Sequence, residues 1–534
     1  MFLLDQGRDA FATRVLLAEA AERTLDVQYY IWRDDMSGRL LFEALRRAAD
    51  RGVRVRLLLD DLGSAGLDAT LADLDAHPRI EVRLFNPFVQ RRFKPLGFVT
   101  DFGRANRRMH NKSFTADNQA TVVGGRNVGD EYFGAEVDTL FVDLDVLAIG
   151  PVVQAVSEDF DRYWASGSSY PLALLLDAAD ATPPPPKDLQ NLPDRTRQYL
   201  DAVARSSFVA ELLAGRLPLH WAPVEFVSDD PAKGLGQADD ADLMFARTAR
   251  LVDTPAHSLK LVSPYFVPTA RGTALFEKLA ARGVDVAILT NALEATDVAV
   301  VHAGYMPWRV PLLRAGVQLY EMRREADTQA PDAKLRLGSS SAESLHAKTF
   351  VVDQRQLFVG SFNFDPRSAR LNTELGFVID SPALAAQLAA VPSSMTADTV
   401  NDLFALKGEK LSEHHVTPEG ARMALEALDD PASPVHARLA PVMTELDRQY
   451  QKLAELSRDP QARAHPLTRE DWTDLDATTL TQLRKDPSMA YALDKVKREW
   501  EDAQAQAAAA KSRHPKPRTT ELDRPPVVPR SEER

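Results

Sequence analysis

Apolar and polar positions along this chain run through the same succession of periods twice. Residues 24–32 form a short apolar-rich run of strand length. In residues 40–49 the side chains of Leu41, Ala44, Leu45 and Ala48 share one helical face by their three-and-four spacing, and Gly52 follows as the left-handed residue that stops a helix. Residues 52–59 read as a second strand. The succession returns at 258–266, 274–282 and 283–290. Strand, amphipathic helix, glycine stop and strand make a βαβ unit, so the two strands of each unit are expected to run parallel. The pattern predicts two copies of one α/β domain, each a mixed sheet flanked by helices.

A polar motif is repeated inside the same frame. His110-x-Lys112 followed by Asp117 returns as His346-x-Lys348 followed by Asp353, 86 residues after Thr24 and 88 after Ser258. Each copy leads to a Gly/Ser-rich turn ending in Asn, Asn127 and Asn363. Each has an acid 28 residues beyond its histidine, Asp138 and Glu374. If the motifs lie on strands, alternation puts His and Lys on one face and turns Asn111 and Ala347 the other way. Each pairs with its successor, residues 120–124 or 356–360, which brings Asn127 and Asn363 back to the edge of His and Lys. Asp117 and Asp353 lie further along and are expected to make structural hydrogen bonds.

These residue types suit displacement at a phosphodiester. A neutral imidazole, with an ordinary pKa near about 6.5, can attack phosphorus and hold it covalently. A second, protonated imidazole can serve the leaving alkoxide and then deprotonate the incoming alcohol or water, help worth roughly 10²–10⁴-fold. Lys112, Lys348, Asn127 and Asn363 would hold the non-bridging oxygens. Asp138 and Glu374 would fix the histidine tautomers through the far ring nitrogen. No cofactor or metal is called for. A lone His-x-Lys is ordinarily structural; two copies with matched offsets in matched units favour catalysis.

Composition narrows the setting. At 534 residues, with 45% hydrophobic content, the chain has room for about three or four domains of roughly 150 residues. It has no cysteine, hence neither disulfides nor thiolate chemistry. A net charge of −13 argues against sequence-independent nucleic-acid binding. A basic set, Arg91, Arg92, Lys94, Arg104, Arg107 and Arg108, precedes the first motif. No apolar run reaches the roughly 20 residues of a spanning helix, and the first residues do not read as a secretory signal. The expected organisation is a first domain at 1–180, a Pro-rich linker and connecting helix at 181–215, a second domain at 216–385, a helical extension at 386–506 and a disordered tail at 507–534. Asp60 and Asp61 end a strand beside the expected cleft and read equally as a helix cap, His302 reads as either a substrate contact or packing, and Tyr29, Tyr30, Tyr265 and Phe266 read as core strand residues.

At the level of residues 25–35, 108–114 and 123–127, and again 263–268, 297–305 and 360–368, the sequence resembles the phospholipase D superfamily, and within it the bacterial cardiolipin synthases. The resemblance covers roughly residues 10–380. It implies two phospholipase D-like α/β/α sandwich domains forming an intrachain pseudo-dimer, with His110, Lys112, Asp117, His346, Lys348 and Asp353 as the catalytic signature. It further implies metal-independent transfer of a phosphatidyl group through a phosphohistidine, with His110 the nucleophile and His346 the acid. The substrates would be phosphatidylglycerol and, as a second candidate, phosphatidylethanolamine. The residues alone leave a phospholipase D hydrolase releasing phosphatidic acid, a nuclease and a non-catalytic scaffold as alternatives; charge disfavours the nuclease and intact motifs the scaffold. The chain after about residue 385 departs from the resemblance, and the start close to the first helix leads to the expectation that a membrane-anchoring leader is absent or lost. Work at the cytoplasmic face of the inner membrane by peripheral contact is expected, with residues 85–98 as the docking segment, where Phe88, Phe93 and Phe98 interleave with Arg91, Arg92 and Lys94.

Overall fold

A computed structural model describes residues 1–88, 102–135, 139–176, 194–293, 295–322 and 342–390. The first half contributes β1 (Phe2–Leu4), β2 (Thr24–Tyr29), β3 (Arg54–Asp60), β4 (Ile80–Phe85), β5 (Ser113–Ala116), β6 (Ala120–Gly124), β7 (Thr139–Val142), β8 (Asp145–Ile149) and β9 (Ser169–Pro171). The second contributes β10 (Val224–Ser228), β11 (Ser258–Val262), β12 (Asp285–Asn291), β13 (Gln318–Met322), β14 (Ala342–Leu345), β15 (Thr349–Val352), β16 (Gln356–Gly360) and β17 (Leu375–Asp380).

The two large sheets have one topology. The first runs β1-β8-β6-β5-β2-β3-β4-β9 and the second β10-β17-β16-β15-β11-β12-β13. In each, a parallel trio, β2-β3-β4 or β11-β12-β13, joins an antiparallel set that begins with the motif strand β5 or β15. The parallel trios are the βαβ units of the periodic pattern. Helix Met36–Asp50 buries Leu41, Ala44, Leu45 and Ala48, and Gly52 takes a φ of 99° behind it.

The halves share a core. Val123, Leu144, Val146 and Ala148 of the first pack with Leu289, Leu345, Val359, Phe377 and Ile379 of the second. Full burial of each large aliphatic or aromatic side chain is worth about 1.5–3 kcal/mol, so the apolar layer holds the halves together. Helix Pro382–Ala390 adds Leu384, Ala385 and Leu388 to that layer, so the second domain's packing extends past the expected boundary at 385. Helices Asp194–Ala204 and Ser207–Leu213 instead lie against the first half, where the Tyr199 ring meets Phe11 and Phe208 meets Phe2, both at 5.5 Å.

Backbone pairing also crosses between the halves. β7 and β14 form a parallel two-stranded ribbon with Val142 opposite Leu345, and Met109 bridges Thr373 in the same parallel sense. The chain leading into each histidine is therefore paired with the other half.

Among the described residues no helix is long and apolar enough to cross a membrane. Of the expected docking segment, Phe88 is buried beneath the Arg108 guanidinium, 4.9 Å from its ring, and cannot enter a headgroup layer. Phe93, Phe98, Arg91, Arg92 and Lys94 lie outside the described residues, as do the Pro-rich linker and everything after 390.

Candidate active site

Each motif strand begins one residue after its lysine, at Ser113 and Thr349, so His and Lys sit on the extended lead rather than in the ladder itself. That lead is fixed from both sides. His110 N donates to Thr373 O at 2.9 Å and His346 N to Val142 O at 2.8 Å. On the other side the last residue of the second parallel strand, β3 or β12, clamps the residue before each histidine. Asp60 accepts from Met109 N at 2.8 Å, and Asn291 both accepts from Leu345 N and donates to Leu345 O at 2.9 Å. Asp60 also pairs with Arg108 at 3.2 Å, both fully buried. Of the two readings open from sequence, a strand end beside the cleft and a helix cap, it is the first, and it anchors the first motif.

The crossing decides which acid serves which histidine. His110 Nδ1 lies 2.8 Å from Glu374 Oε2 and 3.1 Å from the carbonyl of Ser361. His346 Nδ1 lies 2.5 Å from Asp143 Oδ2. Glu374 was expected to orient the histidine of its own motif; it orients the other one. Asp138 lies outside the described residues, and the carboxylate on His346 is Asp143. The sheet register explains the discrepancy. Gly124 pairs with Asp145 and Gly360 with Gly376, so Asp143 and Glu374, each two residues earlier, are the equivalent positions. The connection from Asn127 to Asp143 is 16 residues and that from Asn363 to Glu374 is 11, so a constant offset from the histidine misses the acid by five. Gly125 makes the room, since a Cβ there would come within 2.1 Å of Asp143 Oδ1.

Both imidazoles are buried, each 6% exposed. Lys112 Nζ donates to His110 O at 2.6 Å, and Lys348 Nζ donates to His346 O and lies 2.9 Å from His346 Nδ1. Burial, with Lys112, Lys348 and His346 adding to it, holds the His110 imidazolium well below its ordinary value. Burial and Lys348 lower His346 too, while Asp143 works against them. The lysines are likewise depressed by burial, Lys112 strongly and Lys348 to about 8. The acids diverge. Burial pushes Glu374 up to about 7 against the pull of Lys112. Burial acts on Asp143 as well, but His346, Lys348 and Arg126 outweigh it and keep that carboxyl below the usual range. Glu374 of the second half holds His110 and Asp143 of the first holds His346, so the two motifs meet where the halves join.

Aromatic rings wall the site. Tyr30 meets the His110 ring edge-on at 4.9 Å, and Tyr132 and Phe141 meet His346 at 5.1 Å. Tyr30 and Tyr265 are half-buried here instead of belonging to the core strands, whereas Tyr29 and Phe266 are core. The asparagines differ. Asn127 is committed to the scaffold, accepting from Ile31 N at 3.2 Å and donating to Tyr132 OH at 3.1 Å. Asn363 keeps a buried side-chain oxygen without a protein partner. Asp117 and Asp353 lie away from the imidazoles, each accepting three backbone N–H groups, from residues 22–24 and 256–258, at 2.8–2.9 Å. His302 is tied to Asn291 O at 3.2 Å and Arg309 Nη2 at 2.9 Å and packs within the second half.

Residues 15–164 and 249–395 match the family described as "Cardiolipin synthase, PLD-like domain". The chain is 54% identical over 391 residues to cardiolipin synthase C of Escherichia coli strain K12, covering 72% of this chain and 82% of that protein. It is 33% identical over 402 residues to an uncharacterized protein of Helicobacter pylori strain 26695, covering 72% and 76%. A phosphatidylserine synthase of Haemophilus influenzae Rd KW20 superposes with a TM-score of 0.49 at 16% identity, covering 80% of this chain and 92% of that one.

The chain belongs to this cardiolipin synthase, phospholipase D-like family. One matched stretch contains β2 to β8 and the other β11 to β17, so the family domain occurs twice in one chain, as the repeated periods predict. Among the described residues no cluster of His, Asp or Glu could hold a metal ion. What sequence reasoning overlooked in this family member is the support: Asp60 with Arg108, Asn291, Asp143, and Asp229. Asp229 accepts from Glu374 N at 2.9 Å and pairs with Lys233 at 2.7 Å. Asp60 and Asn291 did carry a signal, since each ends the second strand of its βαβ unit.

Proposed function

We propose that this chain is a phospholipase D-type phosphatidyltransferase that makes cardiolipin. The observation that carries the reading is the pair of buried imidazoles, each held through Nδ1 by a carboxylate, with two lysines acting on both. Holding Nδ1 leaves both Nε2 atoms for chemistry.

His110, kept neutral by burial, attacks the phosphorus of a phosphatidyl donor through Nε2. A nitrogen–phosphorus bond forms, the bond from phosphorus to the headgroup oxygen breaks, and that oxygen takes a proton from His346 Nε2. In the second step His346 removes the proton of an acceptor hydroxyl. The hydroxyl oxygen bonds to phosphorus and the nitrogen–phosphorus bond breaks, restoring both histidines. Asp143, the carboxyl that stays ionised, supports the charge on His346 when it is the acid. The bound phosphodiester anion raises the imidazolium and ammonium groups that burial has depressed, so substrate charges the site as it arrives. Lys112 and Lys348 then meet the non-bridging oxygens, and the Asn363 amide nitrogen donates to the same phosphate. Asp117 and Asp353 hold the motif turns.

Phosphatidylglycerol as donor and acceptor yields cardiolipin and glycerol; phosphatidylethanolamine is the second candidate. Such substrates call for contact with a membrane surface, which in this reading is the cytoplasmic face of the inner membrane. Vesicles of phosphatidylglycerol, alone and with phosphatidylethanolamine, test the reading. Cardiolipin as the main product supports it, and phosphatidic acid alone makes the chain a hydrolase.

A further inference from the structure

The two halves repeat the same His, Lys and Asn on the same strand frame, so a polar pair present in only one of them points to a task that only one half performs. Tyr265 and Asp297 are such a pair. The Tyr265 hydroxyl donates to the Asp297 carboxylate, 2.8 Å from Oδ1 and 2.7 Å from Oδ2. Seven residues after Thr24, in the first half, stands Ile31; seven after Ser258 stands Tyr265. Six residues beyond the end of β3 stands Gly66, and six beyond the end of β12 stands Asp297. The first half thus has an aliphatic residue and a glycine where the second has a phenol and a carboxylate.

The backbone places this pair beside His346. β11 and β15 run antiparallel with Val262 opposite Thr349, so the chain leaving β11 toward Tyr265 passes the stretch leading back to His346. Asp297 follows β12, whose last residue, Asn291, clamps Leu345. Both lie at the carboxyl ends of parallel strands, where open α/β sheets take their ligands. Burial, together with Asp297, Tyr132 and Tyr30, holds the Tyr265 phenol well above its usual value, so it remains a hydrogen-bond donor. Asp297 is exposed and, among the described residues, pairs with no cation, so its oxygens have room for a further donor.

We propose that Asp297, held by Tyr265, is the acceptor subsite and receives a headgroup bearing at least two hydroxyls, of the glycerol type. The inference rests on the transferase reading given above. In the second step one hydroxyl gives its proton to His346 Nε2 as its oxygen bonds to phosphorus, and the bond from phosphorus to His110 breaks. The neighbouring hydroxyl donates to Asp297, which fixes the first over the phosphorus. A monohydric alcohol has nothing to offer the carboxylate and gains nothing from it.

The test uses the full chain on phosphatidylglycerol vesicles with two competing soluble acceptors, deuterated glycerol and 1-propanol, reading labelled phosphatidylglycerol and phosphatidylpropanol by mass spectrometry. A hydrogen bond to a charged group supports a rise of roughly tenfold or more in the KM for glycerol in Asp297→Asn, with a much smaller change for 1-propanol. Tyr265→Phe, which keeps the ring and loses the hydroxyl, shifts the same ratio in the same direction by a few-fold. Equal shifts for both acceptors, or no shift for either, overturn the subsite while leaving the transferase standing. A wild-type protein that yields phosphatidic acid and neither transfer product overturns the transferase reading, and the subsite with it.

Discussion

The two half-sites carry the same motif on the same strand of the same sheet and differ in what stands behind each imidazole. Behind His346 is Asp143, whose surroundings, His346, Lys348 and Arg126, keep it ionised despite complete burial. Behind His110 is Glu374, pushed up to about 7 by burial. Its oxygen takes a 2.6 Å hydrogen bond from Ser361 Oγ, and its backbone N–H is held by Asp229. A nucleophile has to be neutral to attack, and an acid has to carry its proton into the transition state. A carboxyl that is only partly ionised near pH 7 suits the first task and a fixed anion the second. Sequence-equivalent histidines become chemically inequivalent through the layer behind them.

The largest effects should come from removing either imidazole, and they should differ in kind. His110→Ala abolishes the acid-quenched phosphoenzyme and lowers turnover by roughly 10⁴-fold or more. His346→Ala costs a comparable factor with an alkoxide leaving group and far less with nitrophenolate, which departs without a proton. Equal losses with both leaving groups would remove the distinction between the halves.

The next effect sharpens the comparison at the acids. Asp143→Asn leaves the geometry in place but removes the anion behind the acid histidine, and a loss of roughly 10²–10⁴-fold in kcat is expected. Glu374→Gln replaces a carboxyl that is only about half ionised at pH 7 and should cost at least tenfold less than Asp143→Asn. The reverse order, measured side by side with phosphatidylglycerol vesicles, would exchange the roles of the two histidines.

The pH profile follows from the same surroundings. His110 has its folded pKa lowered, so it stays neutral as pH falls through the ordinary histidine range. The acid limb of kcat/KM then lies below about 6.5. His346, the acid, also has its pKa lowered, so its loss of a proton begins the alkaline limb, and Lys348, lowered to about 8, deepens it as pH rises through that value. An alkaline limb displaced above pH 10, where an unperturbed lysine titrates, would mean that burial does not tune this site.

The smallest effect concerns the aspartates that complete each motif. Asp117 and Asp353 each cap three backbone N–H groups beside a turn in which Asp117 and Asn118, or Asp353 and Gln354, take φ values near 50°. Substitution by Ala should cost about 0.5–2 kcal/mol of stability, as loss of a helix cap does. Turnover of the folded protein should change no more than a few-fold. Calorimetry and kinetics on the same samples separate the two readouts, and a catalytic loss as large as that of a lysine variant would place these residues in the chemistry.

The sequence by itself determined that the chain holds two copies of one α/β domain, and it singled out His110, Lys112, His346 and Lys348 as the residues expected to act together. Both follow from local periodicity: period-two and period-3.6 patterns need no partner to be read, and a motif repeated inside repeated frames reports on itself. The supporting residues were decided by tertiary structure alone. Asp143 and Glu374 are matched by strand register, and connections of different length between paired strands hide that match from any fixed spacing. Their exchange between the halves comes from cross-domain pairing at Val142–Leu345 and Met109–Thr373, contacts between segments more than 200 residues apart. The same holds for Phe88, a docking residue by its neighbours in sequence and a core residue by its neighbours in space. Charge states belong to this second class as well, because burial is the first cause of the shifts at His110, Glu374, Lys112 and Lys348, and burial exists only once the halves have closed on each other.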